Sequence, residues 1–259
     1  MAAAPAGRSP AKHLDGAMLD LHCHILPGVD DGPADLGEAL EVALLSVADG
    51  ITHVIATPHC HRHIHLLRAD ILPHFERFAA DLAAAAVPLI ILPGSEIQLT
   101  DPAEYRREFA AGMYCHLGDR PDFTLLEFSW DPLLYPPDAA DVVAWVRDRG
   151  TQVIVAHPER YKVFQEAPDR LGPLAAAGAW FQVTVDSLLG NHGSASRALG
   201  EEVLRAYPDV LLATDAHRPK RCSGLSVGYA WVRDRFGPDR AADLRARADA
   251  VLARLLAPV

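Results

Sequence analysis

Cysteine is scarce in this chain. Only Cys23, Cys60, Cys115 and Cys222 occur, and no two are in CxxC spacing. A disulfide scaffold is therefore excluded, and buried thiols in a reducing cytoplasm are expected. Long hydrophobic runs are missing too. The longest, around Leu82 to Leu92, is broken by Pro88 and is too short to span a bilayer. Basic residues are in the minority, 24 against 34 acidic, for a formal net charge of −10. No nucleic-acid partner is expected, because no basic cluster exists to hold a polyanion. Residues 1–17 are rich in Ala, Pro and Gly and lack the apolar core of a signal peptide. A disordered extension is expected there, followed by one domain over residues 18–259. Translation starting at Met1 or at Met18 fits this pattern equally.

What remains is an ordinary globular composition, half hydrophobic and 22% charged. Its 259 residues match the roughly 250 of one (β/α) barrel. Short apolar runs alternate with longer amphipathic ones. Strands are expected at Leu19–Ile25, Thr52–Thr57, Leu89–Leu92, Phe123–Phe128, Gln152–Ala156, Trp180–Val185 and Val210–Thr214. Helices are expected at Leu36–Asp49, Leu67–Ala86, Pro137–Arg149, Leu171–Ala177, Ala195–Tyr207, Gly224–Phe236 and Pro238–Leu256. In the first helix, Leu36, Leu40, Ala43, Leu44 and Val47 fall on one stripe, and Gly50 follows as a stop. Alternating strands and helices predict an α/β fold with parallel strands, and seven repeats favour a barrel over an open sheet. Thr100–Asp122 breaks the pattern and reads as a long loop or helical insertion near the site mouth.

The chemistry is signalled by position. Nearly every expected strand carries a metal-type ligand at or just past its C-terminal end: His22 and His24, then His59, Glu96, Glu127, His157, and finally Asp215 with His217. That is the end where an α/β barrel assembles its site from several strands at once. His22 and His24 are two apart on a strand and share a face, with Cys23 opposite. Two imidazoles so placed can chelate a divalent cation. Asp31 lies in Val-Asp-Asp-Gly-Pro, a turn that Asp30 is expected to serve alone. After His59 come His61, His63 and His65 at alternate positions. All four could be ligands. The preferred reading is one ligand, His59, followed by a solvated loop that helps bind substrate.

Glu96 and Glu127 end apolar strands, where a lone carboxylate would cost several kcal/mol. A metal is the natural partner, and an arginine the alternative. Arg160, in the turn after His157, is a candidate phosphate clamp because a guanidinium matches phosphate oxygens bidentately. Five histidines and four carboxylates are too many for one tetrahedral zinc. They fit two or three divalent ions, with Mn²⁺, Fe²⁺ or Zn²⁺ all chemically possible. Three such ions against four carboxylates leave the site at about +2, suited to a phosphate that metals orient while activating a water.

The ordered segments Leu-Asp-Leu-His-Cys-His, Val-Asp-Asp-Gly-Pro, Thr-Pro-His, Gly-Ser-Glu-Ile, Leu-Glu-Phe-Ser, Val-Ala-His-Pro-Glu-Arg-Tyr and Thr-Asp-Ala-His run from Leu19 to His217. In this order the chain resembles the PHP (polymerase and histidinol phosphatase) metal-dependent hydrolases. Within them it is most similar to the bacterial tyrosine-protein phosphatases of capsular and exopolysaccharide biosynthesis, the CpsB/YwqE type. The resemblance implies a distorted seven-stranded (β/α)7 TIM-like barrel with a trinuclear, usually manganese-dependent site. It places His22, His24, Glu96 and Asp215 around one metal. Glu96 would bridge to a second with Glu127 and His157, and Asp31, His59 and His217 would hold the third. Arg160 would meet the phosphate, with His59 and Asp31 completing the catalytic set. The implied reaction is hydrolysis of phosphotyrosine by a metal-bridging hydroxide in the cytoplasm, on a protein such as the tail of a polysaccharide-biosynthesis tyrosine kinase. The histidine-rich loop after His59 and the segment before Met18 depart from the family pattern.

Other readings compete. A PHP-family enzyme could instead take a small phosphomonoester such as histidinol phosphate. A TatD-like amidohydrolase barrel also opens with HxH. Many amidohydrolases bridge their metals with a strand-four lysine, but the only lysines are Lys12, Lys162 and Lys220, none at that strand end. TatD-like members use Glu there, and Asp31 and His59 would be surplus to them. A non-catalytic metal-binding regulator would not need so full a ligand set. A cysteine phosphatase is excluded, since no cysteine opens a Cys-x5-Arg loop; Arg120 follows Cys115 one residue too early.

Overall fold

The computed structural model describes residues 16–221 and 223–258. The extension expected over residues 1–17 lies, as far as residue 15, outside the described residues, as does Cys222. Ala17, assigned from sequence to that extension, is buried, and its carbonyl accepts a hydrogen bond from Arg245. The folded body therefore begins before Met18.

Among the described residues ten strands form: β1 (Leu19–Cys23), β2 (His53–Ala56), β3 (His59–His61), β4 (Ile64–His65), β5 (Ile90–Pro93), β6 (Glu96–Leu99), β7 (Phe123–Phe128), β8 (Gln152–Ala156), β9 (Trp180–Thr184) and β10 (Val210–Ala213). Except for β4, which turns back antiparallel on β3, all pairings are parallel. Two of the expected strands, Thr52–Thr57 and Leu89–Leu92, form as β2 and β5, and each is followed after a break by a short strand that was not expected. β2 resumes as β3 after Thr57 and Pro58, and β5 resumes as β6 after Gly94 and Ser95. A proline that cannot donate to the ladder stands at the first break. At the second, a Cβ on Gly94 would lie 2.8 Å from Ile55 Cγ2. The broken strands still pair in step, β2 with β5 below and β3 with β6 above.

One sheet therefore runs β1-β2-β5 and the other β10-β9-β8-β7-β6-β3-β4. The two ends meet. Cys23 bridges to Ala216, the Asp215 N–H donates to the His22 carbonyl at 2.9 Å, and the His24 N–H donates to the Ala216 carbonyl at 2.8 Å. Asp20 on β1 accepts from both the N–H and the hydroxyl of Thr214. Counting each split strand once, seven parallel staves form this barrel-like array. β1, β7, β8 and β10 are buried throughout, as strands covered on both faces must be.

Among the described residues ten α-helices connect and cover the strands. They are α1 (Leu36–Ala48), α2 (Arg68–Ala84), α3 (Pro102–Ala110), α4 (Ala139–Arg147), α5 (Lys162–Glu166), α6 (Leu171–Ala176), α7 (Val185–Leu189), α8 (Gly193–Ala206), α9 (Leu225–Phe236) and α10 (Pro238–Leu256). α1 starts where Asp35 accepts from the Glu38 N–H at 3.0 Å. Its buried face is turned from the expected stripe: Ala39, Val42, Ala43 and Ser46 are buried, while Leu36 and Leu44 are exposed. Ala39, Val42 and Ala43 join the main core cluster, with Leu40 and Val47 packed partly buried against it. The irregular stretch holds α3, capped by Asp101 on the N–H groups of Ala103 and Glu104 with Pro102 at the first turn. Val185, expected to end a strand, opens α7.

Beneath the C-terminal strand ends, Leu19, Leu21, Ile55, Leu125, Ile154, Leu211 and Ala213 pack into one cluster with Val251, Leu252 and Leu255 of α10. The C-terminal ends of the strands, above this cluster, carry the polar residues.

Candidate metal centre and active site

The sequence-predicted ligands sit at the upper ends of six of the seven staves or in the loops leaving them. His22 lies in β1 and His24 just beyond it. His59 opens β3, Glu96 opens β6 and Glu127 stands in β7. His157 follows β8, and Asp215 and His217 follow β10. His157 and Asp215 have positive φ, 29° and 52°. Non-glycine residues seldom adopt this region, and it concentrates at functional sites. Here the two residues turn the chain sharply at a strand end.

The side chains converge tightly. His22 Nε2 lies 3.2 Å from His24 Nε2, 3.2 Å from Asp215 Oδ1 and 3.4 Å from Glu96 Oε1. His24 Nε2 is 3.4 Å from Glu96 Oε2 and 3.5 Å from Asp215 Oδ1. His157 Nε2 contacts Glu96 Oε1 at 2.7 Å. His59 Nδ1 approaches Glu96 Oε2 at 3.0 Å and Glu127 Oε2 at 3.8 Å. Asp31 is bracketed by His59 Nε2 at 3.4 Å and His217 Nε2 at 3.3 Å. All nine residues are thus brought together. Arg160 joins them through a hydrogen bond from Nη1 to Asp215 Oδ2.

Neighbouring groups set the ring orientations. His22 Nδ1 faces Gln182 Oε1 at 2.9 Å, and His24 Nδ1 faces Asp30 Oδ2 at 2.7 Å. In the neutral rings these acceptors hold the proton on Nδ1. Both Nε2 lone pairs then point at each other, an arrangement that a cation would relieve. The His217 ring is fixed in the same way by the Asp215 carbonyl at 2.8 Å from Nδ1. Gln182 and Asp30 were missed as site residues. Asp30 does more than serve its turn, because it also accepts from the His59 N–H at 3.1 Å. Gln182 could have been found as the one strongly polar residue in the buried strand Trp-Phe-Gln-Val-Thr.

The electrostatics show a cluster crowded with charge. Burial acts to raise the Glu96 pKa, but His22, His157 and His59 hold it well below the usual carboxylate range. Burial likewise opposes ionisation of Asp215, and His22 leads the groups that keep it well below normal. Burial drives Glu127 the other way, well above normal, and the neighbouring Glu96 charge adds to it. Burial pushes His157 down to about 4. His59, despite burial, is lifted to about 10 by Glu96 and Asp31.

The donor set fits divalent cations. Glu96 Oε2, Glu127 Oε1, Asp215 Oδ1, His59 Nδ1 and His157 Nδ1 are buried with no hydrogen-bond partner. An orphaned buried lone pair of this kind calls for an unseen partner. Donor atoms within 4.8 Å of one another fall into four overlapping groups: His24, Asp31, His59 and His217; His22, His24 and Glu96; His22, His157 and Asp215; His59, Glu96 and Glu127. His157 falls in a group with His22 and Asp215, while its Nε2 also meets Glu96 Oε1 at 2.7 Å. Of the alternate histidines only His59 belongs to these groups. His61 instead accepts from the N–H groups of His63 and Ile64, and His65 contacts Glu108 at 3.1 Å.

A cavity of about 180 Å³ is lined by Asp31, His59, Glu96, Glu127, Trp130, His157, Arg160, Asp215 and His217. It adjoins an outer cavity of about 440 Å³ reached by the His61–Ile64 hairpin. No described helix is long and apolar enough to cross a membrane.

Residues 18–253 match the family described as capsular polysaccharide synthesis, CpsB/CapC. The chain is 34% identical over 208 residues to the tyrosine-protein phosphatase YwqE of Bacillus subtilis, covering 78% of each. It is 28% identical over 216 residues to the putative tyrosine-protein phosphatase CapC of Staphylococcus aureus, covering 77% of each. The fold superposes with a TM-score of 0.84 on a solved structure from work on YwqE of Bacillus subtilis and CpsB of Streptococcus pneumoniae, described as metal-dependent tyrosine phosphatases. That match covers 93% of this chain and 96% of the other at 29% identity. An organophosphorus hydrolase from Deinococcus radiodurans, at 16% identity and a TM-score of 0.54, shares the fold alone. By sequence and by structure, the chain belongs to the CpsB/CapC family of capsular polysaccharide synthesis proteins.

Proposed function

We propose that this protein is a metal-dependent protein-tyrosine phosphatase, and that its substrate is a phosphotyrosine protein of capsule or exopolysaccharide synthesis, such as a tyrosine kinase tail. The observation that carries the proposal is the joining of five histidines and four carboxylates in one cluster, seven of which line a single cavity with Arg160. The ligands are His22, His24, Asp31, His59, Glu96, Glu127, His157, Asp215 and His217, holding two or three ions, Mn²⁺ first, with Fe²⁺ or Zn²⁺ as alternatives. Bound ions supply Lewis acidity and an activated water at neutral pH. Arg160 lines the same cavity and neutralises phosphoryl oxygens, its planar fork matching two at once. His59 and Asp31 line both cavities and so face the leaving group. Gln182 and Asp30 keep the His22 and His24 lone pairs directed inward. The family relationship supports a cytoplasmic setting for the single folded domain.

The test is chelation and reconstitution, with turnover measured on phosphotyrosine peptide, phosphoserine peptide and histidinol phosphate. Chelation should abolish phosphotyrosine hydrolysis, and Mn²⁺ should restore it. Thiol alkylation should leave it intact, since Cys60 and Cys115 are buried away from the donor groups. Activity that survives chelation and dies on alkylation would overturn the mechanism. Preference for histidinol phosphate would replace the substrate.

A further inference from the structure

Trp130 stands two residues beyond β7 and is 48% exposed, unusual for so large an apolar ring beside a polar site. It is held rather than free. The indole stacks on His157 at 5.3 Å and 17°, and it meets the Tyr161 ring at 4.9 Å. The Arg160 Cζ lies 4.9 Å from its centroid. Three residues of one turn thus fix the ring plane, and nearly half its surface stays open. The ring also borders both cavities, the inner one with Glu96, Arg160 and Asp215, and the outer one with Ser129, Asp131 and Arg62. Asp31, His59 and Glu127 are the other residues common to the two linings, so Trp130 is the one carbocyclic wall they share.

This position has a chemical consequence. A phosphoryl group beside Arg160 carries its ester oxygen, and the first carbons of its leaving group, out of the inner cavity past the indole. An aryl ring there gains an offset or edge contact and covers apolar surface. A short alkyl group leaves the indole in water. We propose that Trp130 is the specificity-determining residue for aryl over alkyl phosphates, its exposed ring forming the wall against which the substrate's phenyl group packs. The proposal rests on the phosphatase reading above for the position of the phosphoryl group.

Phosphonates test it, because their P–C bond is not hydrolysed and binding is read without turnover. Calorimetric titration of the Mn²⁺-loaded protein with phenylphosphonate and methylphosphonate compares wild type, Trp130→Leu and Trp130→Phe. Wild type should prefer the phenyl compound. Trp130→Leu should weaken phenylphosphonate about tenfold, equivalent to about 1.4 kcal/mol, and shift methylphosphonate by less than about twofold. Trp130→Phe should hold phenylphosphonate within about threefold of wild type. Equal weakening of both ligands in Trp130→Leu would overturn the proposal, showing that the indole merely props Arg160 and His157. No change in either would overturn it as well. Failure of the phosphatase reading would appear separately, as absent phosphotyrosine turnover by the loaded wild type.

Discussion

Replacing Arg160 separates two roles that share one side chain. Arg160 is largely buried, with 16% of its side chain exposed, and it donates to Asp215, which is 2% exposed. Without metal it is the permanent cation beside that carboxylate, and stripping one partner from a buried pair costs roughly 3–5 kcal/mol. His22, His24 and His217 also lie 3.2, 3.5 and 3.6 Å from Asp215 Oδ1 and can take up part of the charge. The loss in the metal-free protein should therefore fall below that range, at about 1–3 kcal/mol. Metals at the cluster would replace the arginine as counter-charge. Arg160→Ala should then lower the melting temperature of the chelated protein and much less that of the loaded one. Catalysis should suffer in the opposite pattern. A lost charge-assisted contact to the phosphoryl group is worth roughly 2–4 kcal/mol, or about 10²–10³ in kcat/KM, in the fully loaded enzyme. Arg160→Lys should recover only part, since an ammonium lacks the planar fork. His157→Ala, by contrast, should lower metal content together with rate. The assay is elemental metal content beside kcat/KM and melting temperature for all three variants. Full activity in loaded Arg160→Ala would refute the phosphoryl role, leaving the metals and the His61–His65 hairpin to hold the phosphate. A fall in its metal content equal to the fall in rate would refute the separation.

Three further outcomes follow from the geometry. Glu127→Gln removes a carboxylate crowded by burial and by Glu96, so metal content should fall while the chelated protein melts roughly 2–4 °C higher, the shift for about 1 kcal/mol in a chain of this size; a lower chelated melting temperature would count against the crowding. Gly94→Ala places a Cβ 2.8 Å from Ile55 Cγ2 at the break between β5 and β6, and should cost about 1–3 kcal/mol in urea unfolding with some loss of metal affinity through Glu96; an unchanged midpoint would show that the break has room to spare. Burial holds the His116 pKa down at about 4, so the unfolded chain binds a proton that the folded chain refuses as pH falls from about 6.5 towards 4. Stability should drop across that window by at most about 3 kcal/mol from this group, and His116→Leu should flatten the drop when chelated protein is unfolded in urea at each pH. An unaltered slope would exclude His116 as its source.

Much of this architecture was legible because the ligands punctuate apolar runs. Glu127 at the end of Phe-Thr-Leu-Leu-Glu and His157 after Gln-Val-Ile-Val-Ala mark where strands leave the core, and the expected strand ends fall within a few residues of those observed. Local patterns carried no sign of the breaks at Pro58 and Gly94, which arise from how neighbouring staves fit. Gln182 escaped notice because its role lies in a bond to His22, 160 residues away. Asp30 was hidden by a turn that accounted for it fully. α3 was foreseen only as one of two alternatives, a helical insertion, since its Asp-Pro start precedes a helix with little apolar stripe. The buried face of α1 was misjudged because it is made by Ala39, Val42, Ala43 and Ser46, small residues that a search for leucines passes over.

The junction between β1 and the end of β10 has a consequence for how the molecule comes into being. β1 is the first strand to be synthesised, yet one of its edges finds its partner only at Ala216, 193 residues later. Until then a strand of five buried residues presents open N–H and C=O groups, the kind of edge that recruits other chains. Contacts this distant in sequence also form slowly, since the loop they close must be ordered first. The bond that shuts the ring runs from the Asp215 N–H to the His22 carbonyl, so closure and the meeting of these two side chains are one event. A nascent or partly opened chain would hold neither a sealed array nor a complete cluster. Ring closure is thus a checkpoint: the ligand set is complete only once the chain has been made through His217 and that segment has docked on β1.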